Sequence, residues 1–264
     1  MAAFTAKDVQ ALRQATGAGM MDAKKALEAS DGDMEKARQW LRVQGLAGAA
    51  KRSDREASQG AVAIGVAGSG AAIVELRCET DFVAKSEELV SLVGELADLV
   101  AAKGEQAMKE REGAIEELKT TLKENISPGQ VVRFEVAEGA VLGTYLHTQA
   151  GRGVNAVMVE LKGAGDQVAH DVAVHIAFAR PAYVSRSEVP EADVAAERAV
   201  IEEMSVKEGK PEAALAKVVE GRMQGWYKER CLLDQPYARD EKQSVADLLG
   251  SAEVLRFAQV VVGS

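Results

Sequence analysis

Aromatic residues and cysteines are scarce in this sequence. Phe, Trp and Tyr together make up 4% of the 264 residues, and there are 2 cysteines, Cys78 and Cys231. Two cysteines are too few for a disulfide framework, and they have no metal-ligand spacing with the 3 histidines. We therefore expect no metal site and interpret both cysteines as small buried hydrophobic residues.

Positive charge is also in short supply. The chain has 41 acidic and 32 basic side chains, which gives a formal net charge of −9. Nucleic-acid binding draws its affinity from clustered Lys and Arg and, for single strands, from aromatic stacking platforms. The short basic run Lys51-Arg52 does not reverse that balance. The sequence argues against direct nucleic-acid binding and favours a protein as the partner.

Long apolar runs are missing as well. No stretch of about 18 apolar residues occurs, and the N-terminal residues 1–8 lack a basic region followed by an apolar segment. The sequence therefore predicts neither a membrane span nor a secretory signal. The expected location is cytoplasmic.

The residues that usually carry catalysis are few and poorly placed. None of the three histidines, His147, His170 and His175, belongs to a known nucleophile and base motif. The glycine-rich stretches at 68–70 and 163–165 lack the lysine of a P-loop and the spacing of a dinucleotide fingerprint. We predict that the chain is not an enzyme and binds no cofactor.

The first 45 residues predict three short helices. Thr5-Ala6-Lys7-Asp8 has the pattern of a capping box, and the helix that it starts stops at Gly17. A second helix runs from about Met21 to Ala29, and a third ends near Gly45. Residues 46–58 are rich in Ala, Gly, Ser and mixed charges, which predicts a linker, although alanine also favours a helix.

A strand, hairpin, strand and helix then occur twice. The first copy has strands at Gln59–Val62 and Ile73–Arg77, and the second has strands at Glu138–Val141 and Met158–Lys162 followed by a helix from about Asp166. Each copy has too few strands to be stable alone. We therefore predict an α+β protein with two related halves, each a small antiparallel sheet covered by helices.

The two copies differ where the second strand leads into the helix. The first copy has Thr80-Asp81-Phe82-Val83-Ala84-Lys85 at this corner, and the second has only Gly163-Ala164-Gly165. A large ring between a carboxylate and a lysine is not needed to turn a chain. Phe82 is either a cap over its own core or an exposed wedge for another protein. Because the second copy turns without such a ring, we favour the wedge.

Two further segments, Glu191–Met204 and Glu212–Tyr227, predict an antiparallel helical hairpin with a narrow apolar seam. The predicted organisation is a three-helix domain at 1–45, a linker at 46–58, a first core half at 59–137 and a second core half at 138–264, with the hairpin inserted at about 190–228.

Two motifs resemble the sequence signatures of bacterial elongation factor Ts. They are T-D-F-V-A-K at 80–85 and L-R-Q-A-T-G-A-G-M-M-D-A-K-K-A-L at 12–27, and similar segments at 143–147, 219–223 and 235–237 extend the resemblance. The resemblance implies an N-terminal bundle of the ubiquitin-associated type. It also implies a guanine-nucleotide exchange factor that binds the GTPase elongation factor Tu and promotes GDP release during translation elongation.

The resemblance further implies which residues bind that partner. In the family, the T-D-F-V-A-K corner meets the G domain of the GTPase, where the Phe ring wedges between helices beside the magnesium site. Phe82 is then the wedge and Asp81 the adjacent carboxylate. The family's other contacts correspond to Met20, Met21 and Lys24 in the bundle and to His147 in the second half.

The chain departs from the family at Leu122-Lys123, where Ile-Gly usually precedes Glu-Asn, so a partner contact there stays open. An alternative of another class also stays open, namely an adaptor that binds a ubiquitin-like or ribosome-associated protein through the N-terminal bundle. Deletion of residues 1–50 separates the two functions. An adaptor would lose all binding, whereas an exchange factor would keep part of it through the core.

Overall fold

The structure, a computed structural model, describes residues 4–50, 52 and 54–264, and for 46–50 it describes the backbone only. Residues 1–3, Lys51 and Ser53, which fall in the predicted N-terminal domain and linker, lie outside the described residues. The chain forms two compact units. The first comprises residues up to 135 with 148–154 and 260–264, and the second comprises 136–147 and 155–259.

The first unit begins with the predicted bundle of three helices, α1 (Ala6–Thr16), α2 (Met20–Ala29) and α3 (Met34–Ala50). The predicted capping box is confirmed, because Asp8 Oδ2 accepts from Thr5 N at 2.7 Å and Thr5 Oγ1 accepts from Asp8 N at 3.4 Å. Gly17 ends α1 in the left-handed region at φ 67°. The small core of the bundle consists of Val9, Leu12, Ala23, Ala26, Leu27 and Ala37.

Helix α3 is longer than the sequence pattern predicted. It runs to Ala50, so the predicted end near Gly45 is too early, and the first five residues of the predicted linker, 46–50, are helical. Three of these five residues are alanine, the best helix former. Alanine's helix propensity therefore prevails over the linker-like composition in this stretch.

The first core half follows the predicted order. Its strands are β1 (Gln59–Ala67), β2 (Gly70–Cys78) and β3 (Ser127–Glu135), in the sheet order β1-β2-β3 with antiparallel pairing. Its helices are α4 (Asp81–Ala84), α5 (Glu87–Lys103) and α6 (Glu112–Leu122), with a 3₁₀ helix at Glu105–Arg111 before α6. Strand β3 directly precedes the second repeat in the chain, yet it belongs to this first sheet, where Val131 lies opposite Val74.

The second half repeats this plan with an insertion. Strands β4 (Ala140–Gln149) and β5 (Arg152–Lys162) form a hairpin, α7 (Asp166–Ala179) follows, and β8 (Glu253–Val261) completes the sheet order β4-β5-β8. The strand β8 thus has the place that β3 has in the first half. Between α7 and β8 lie α8 (Glu191–Lys207), α9 (Glu212–Arg230), β6 (Pro236–Tyr237), β7 (Asp240–Ser244) and α10 (Val245–Leu249).

The α8–α9 hairpin has an apolar cluster of its own, separate from the core of the second half. Its buried members are Val189, Ile201, Val219, Met223, Trp226 and Cys231. The core under the sheet is built mainly from β5 and α7, with Val157, Val159, Val172 and Ile176 among its members. Within the described residues, no helix is long and apolar enough to cross a membrane.

Each half buries a glutamate at the same place in the repeat. Glu75 is fully buried and accepts hydrogen bonds from Gln130 N at 2.9 Å and Gly263 N at 3.1 Å. Glu160, at the matching position of V-E-L-K, accepts from Ala137 N and from Arg256 Nε, both at 2.6 Å. A buried carboxylate is costly without such partners. The shared arrangement supports the interpretation of the two halves as related copies.

Candidate functional site

The corner at residues 80–85, called here the TDFVAK corner, is a capped helical turn. Thr80 is the N-cap of α4, and its Oγ1 accepts from Val83 N at 3.3 Å. Ala84 is fully buried in the core of the first half, whereas Thr80, Asp81, Phe82 and Lys85 are exposed. Ser86 then caps α5 by accepting from Leu89 N at 3.3 Å. The chain thus makes two successive capped helix starts within a few residues.

Phe82 lies at the outer end of this turn, with 75% of its surface exposed. It does not cap its own core, so that alternative is wrong. Lys85 Nζ lies 4.7 Å from the centre of the Phe82 ring, and the same ammonium donates to Asp81 Oδ2 at 2.9 Å. This hydrogen bond lowers the pKa of Asp81, so the carboxylate stays charged beside the ring.

A second carboxylate, that of Glu124 in the segment after α6, holds the start of the corner by hydrogen bonds. Its Oε2 accepts from Glu79 N and from Thr80 N, each at 3.0 Å, and its Oε1 accepts from the Thr80 hydroxyl. Glu79 reciprocates, since its Oε1 accepts from Asn125 N at 2.7 Å. The segment after α6 and the segment after β2 are thereby tied to each other by four hydrogen bonds.

The N-terminal candidates lie together on α2. Met20 and Met21 are 51% and 63% exposed, and Lys24 is exposed and pairs with Glu28 at 3.7 Å. Asp22, between them in sequence, accepts from Lys123 Nζ at 2.5 Å. Lys123 is the residue at which the chain departs from the family pattern, and its φ of 59° lies in the left-handed region that glycine adopts without strain.

His147 lies in the second unit, near the end of β4, and is exposed. Its Nδ1 lies 3.3 Å from Tyr145 Oη, and the two rings stack with centroids 6.4 Å apart. Tyr145 also makes an edge contact with His170, whose Nδ1 lies 3.0 Å from Thr144 O. The histidine is thus held beside a tyrosine on an accessible surface.

The remaining titratable groups have structural surroundings. His175 is buried, its Nδ1 accepts from Ala238 N at 3.2 Å, and its other ring nitrogen therefore donates to Gln235 Oε1 at 2.9 Å. Burial lowers the pKa of His175 and raises that of Cys78 to about 12. Both cysteines are free and buried, as predicted. Among the described residues, no three His, Cys, Asp or Glu side chains are grouped as metal ligands would be.

The comparisons with known proteins agree on one family. The family model described as elongation factor TS matches residues 79–264. Proteins named elongation factor Ts are 41% identical in Kineococcus radiotolerans and 42% identical in Renibacterium salmoninarum, in both cases over all of this chain and all of the relative. The chain belongs to the elongation factor Ts family. A third relative of that name, from Nitratidesulfovibrio vulgaris, is 44% identical over 94% of this chain and 88% of its own length.

Membership of the elongation factor Ts family agrees with the α+β fold and places the chain among the elongation factors of protein biosynthesis.

Glu124 was not predicted from the sequence as part of the site. The available signal was its place in Glu-Asn beside the departure at Leu122-Lys123, but only the structure shows that its carboxylate reaches Thr80. The role of each site residue in partner binding stays a prediction.

Proposed function

We propose that this chain is a guanine-nucleotide exchange factor that binds elongation factor Tu and promotes its release of GDP. The observation that carries the proposal is the exposed Phe82 at a capped corner, with Asp81 held charged beside it. Aromatic residues, Phe among them, are enriched at protein–protein interfaces, and a hydrogen-bonded turn presents this ring to solvent.

The proposed mechanism is displacement and involves no bond chemistry. Phe82 inserts between helices of the GTPase next to its magnesium site, and the moved helices lose their contacts with magnesium and phosphate. Such a change requires that the exchange factor bind the nucleotide-free GTPase more tightly than the GDP-bound form. The coupling is reciprocal, so GDP with magnesium expels the exchange factor by the same factor. The chain then works in the cytoplasm and needs no catalytic group or cofactor of its own.

Burial of Phe82 alone contributes too little free energy to open the GTPase. Moving a two-state partner from almost wholly closed to almost wholly open requires a differential affinity of about 5.5 kcal/mol. Burial of one Phe side chain contributes about 1.5–3 kcal/mol. We propose that the rest comes from Met20, Met21 and Lys24 on α2 and from His147, all of which are exposed. The contacts are then spread over the bundle and both core halves.

The test is stopped-flow release of a fluorescent GDP analogue from purified elongation factor Tu. We expect the parent protein to accelerate release and Phe82→Ala to lower the stimulated rate by about ten- to a hundredfold, at ~1.4 kcal/mol per tenfold change. Binding to the nucleotide-free GTPase should survive in weakened form, because the other contacts remain.

The chain offers a matched control in Phe178, which is 78% exposed, close to the 75% of Phe82, but lies at the end of α7 in the second half. Phe178→Ala removes the same amount of exposed aromatic surface and should leave the stimulated rate nearly unchanged. Full stimulation by Phe82→Ala would refute the wedge. Equal losses in both variants would show that exposed aromatic surface in general, and not this corner, supports exchange.

A further inference from the structure

The position of the Phe82 ring depends on the backbone beneath it. The ring is largely exposed, and the ring contact that the structure gives it is with Lys85, whose side chain is itself flexible and exposed. Helix α4 has only 4 residues. Isolated helices of that length are not stable in water, so the turn must be held by groups outside itself.

Glu124 supplies that support. Its carboxylate accepts from two consecutive backbone N–H groups, those of Glu79 and Thr80, and from the Thr80 hydroxyl. The same Thr80 oxygen caps α4 by accepting from Val83 N. Hydrogen bonds to a charged acceptor are stronger than neutral ones. The carboxylate therefore fixes both the entry of the turn and the residue that caps it.

Glu124 is itself fixed by the core of the first half. Ile126, two residues after Glu124, is fully buried in that core, and Leu122, two residues before it, is partly buried and packs against the same core. Lys123 between them ends α6 in the left-handed conformation, which turns the chain at this point. A continuous series of contacts thus runs from the core through Glu124 and Thr80 to the backbone N–H of Val83, the residue next to Phe82 in α4.

We propose that Glu124 is a positioning residue for exchange, which holds Phe82 in the orientation that enters the GTPase. This inference rests on the proposed exchange function. Glu124 need not touch the partner itself. Its removal leaves Phe82 present but attached to a loosened turn, so the energy of insertion is partly spent on ordering the corner.

The experiment compares Glu124→Ala, Glu124→Gln and the control Glu117→Gln, an exposed glutamate on α6, in stopped-flow GDP release. We expect Glu124→Ala to lower the stimulated rate by about tenfold and Glu124→Gln, whose amide oxygen can still accept from both N–H groups, by less than about threefold. Glu117→Gln should have no effect. The Gln variant also keeps the test usable if the Ala variant fails to fold.

A double-mutant cycle with Phe82→Ala distinguishes positioning from a general structural role. If Glu124 acts through Phe82, Glu124→Ala should slow release about tenfold in the parent and have almost no further effect in the Phe82→Ala background.

Labelling of Cys78 gives an independent readout, since its Sγ donates to Thr80 O at 3.3 Å. A loosened corner should make this buried thiol react faster.

The outcomes separate the two proposals. If Phe82→Ala stimulates GDP release from the GTPase as well as the parent does, the proposed function fails. If Phe82→Ala lowers the stimulated rate but Glu124→Ala does not, only the positioning role is wrong. An equal loss from Glu124→Ala with and without Phe82 also overturns the positioning role, because Glu124 would then act independently of the ring.

Discussion

The TDFVAK corner and the glycine corner at 163–165 connect the same two elements in the two halves of this protein, yet they are built differently. The first uses a Thr cap, a short helix and the carboxylate of Glu124, and it exposes Phe82. The second turns through Gly163 at φ 77° into α7, which has no side-chain cap. The fold makes this connection without the extra elements, so their presence in the first half points to a task other than folding.

The features that the two halves share indicate a role in folding instead. Both have a three-stranded sheet completed by a strand from further along the chain, and in both a buried glutamate of the middle strand accepts a hydrogen bond from a backbone N–H. Each half also places a strand glycine against the backbone of its covering helix, Gly65 against Ala97 and Gly143 against Ala169. Shared features of this kind serve packing, and we expect their loss to affect stability first.

The largest expected effects on stability come from these two glycines. A Cβ at Gly65 or Gly143 would overlap backbone atoms of the helix, so Gly65→Ala and Gly143→Ala should each lower the free energy of unfolding by about 1–3 kcal/mol. Urea denaturation measures both. Destabilisation of only one of the two variants would contradict the interpretation that the two glycines have the same packing role in the two halves.

Gly94 in α5 is the matched control. A Cβ there would meet nothing within 4 Å, so Gly94→Ala should be neutral or stabilise by up to about 1 kcal/mol through its higher helix propensity. Destabilisation by Gly94→Ala would mean that the cost at Gly65 does not come from overlap with the helix.

A smaller expected effect is a pH dependence of stability that comes from the second half. All 3 histidines lie in the second half, and burial lowers the pKa of His175 below its usual 6.5. The unfolded chain then binds a proton that the folded chain does not. Stability is therefore full above about pH 6.5 and falls as the pH drops through the folded pKa, by at most about 1.4 kcal/mol per pH unit.

Denaturation of the parent and of His175→Gln between pH 7.5 and 5.5 measures this dependence, with His147→Gln as an exposed control. We expect a smaller slope in His175→Gln and an unchanged slope in His147→Gln. A slope that stays the same in His175→Gln would show that the buried histidine does not carry the effect.

The smallest expected effect on exchange comes from the α8–α9 hairpin, which the first half lacks. Its apolar cluster is separate from the core under the sheet. Replacement of residues 191–227 by a short Gly-Ser link should leave a folded protein with measurable exchange activity, as stopped-flow release and thermal unfolding would show. Loss of the cooperative unfolding transition would identify the hairpin as part of the core.

The periodic parts of the fold were predictable from the sequence because local patterns determine them. The capping box at Thr5, the strand pairs of both halves and the hairpin helices each depend on residues close together in the chain. The third strand of each sheet was not, since β3 joins β2 and β8 joins β5 from far along the chain. The short pair of β6 and β7 is too short and polar to give a strand pattern.

The candidate site was predictable to a similar degree. The contrast between the two corners identified Phe82 as unnecessary for the turn, and its exposure agrees with that prediction. Glu124 lies 44 residues after Thr80, and a side-chain hydrogen bond across that distance leaves no periodic pattern. The Lys123–Asp22 pair, 101 residues apart, was unpredictable for the same reason.

The most direct measurement of the difference between the corners is site-specific photo-crosslinking to nucleotide-free elongation factor Tu. A benzophenone amino acid replaces Phe82 in one protein and Gly165, an exposed residue of the glycine corner, in another. We expect a crosslink to the G domain from position 82, lost when GDP and magnesium are added, and none from position 165. Equal crosslinking from both positions, or a stable complex with no crosslink from position 82, would contradict the assignment of the TDFVAK corner as the element that enters the GTPase.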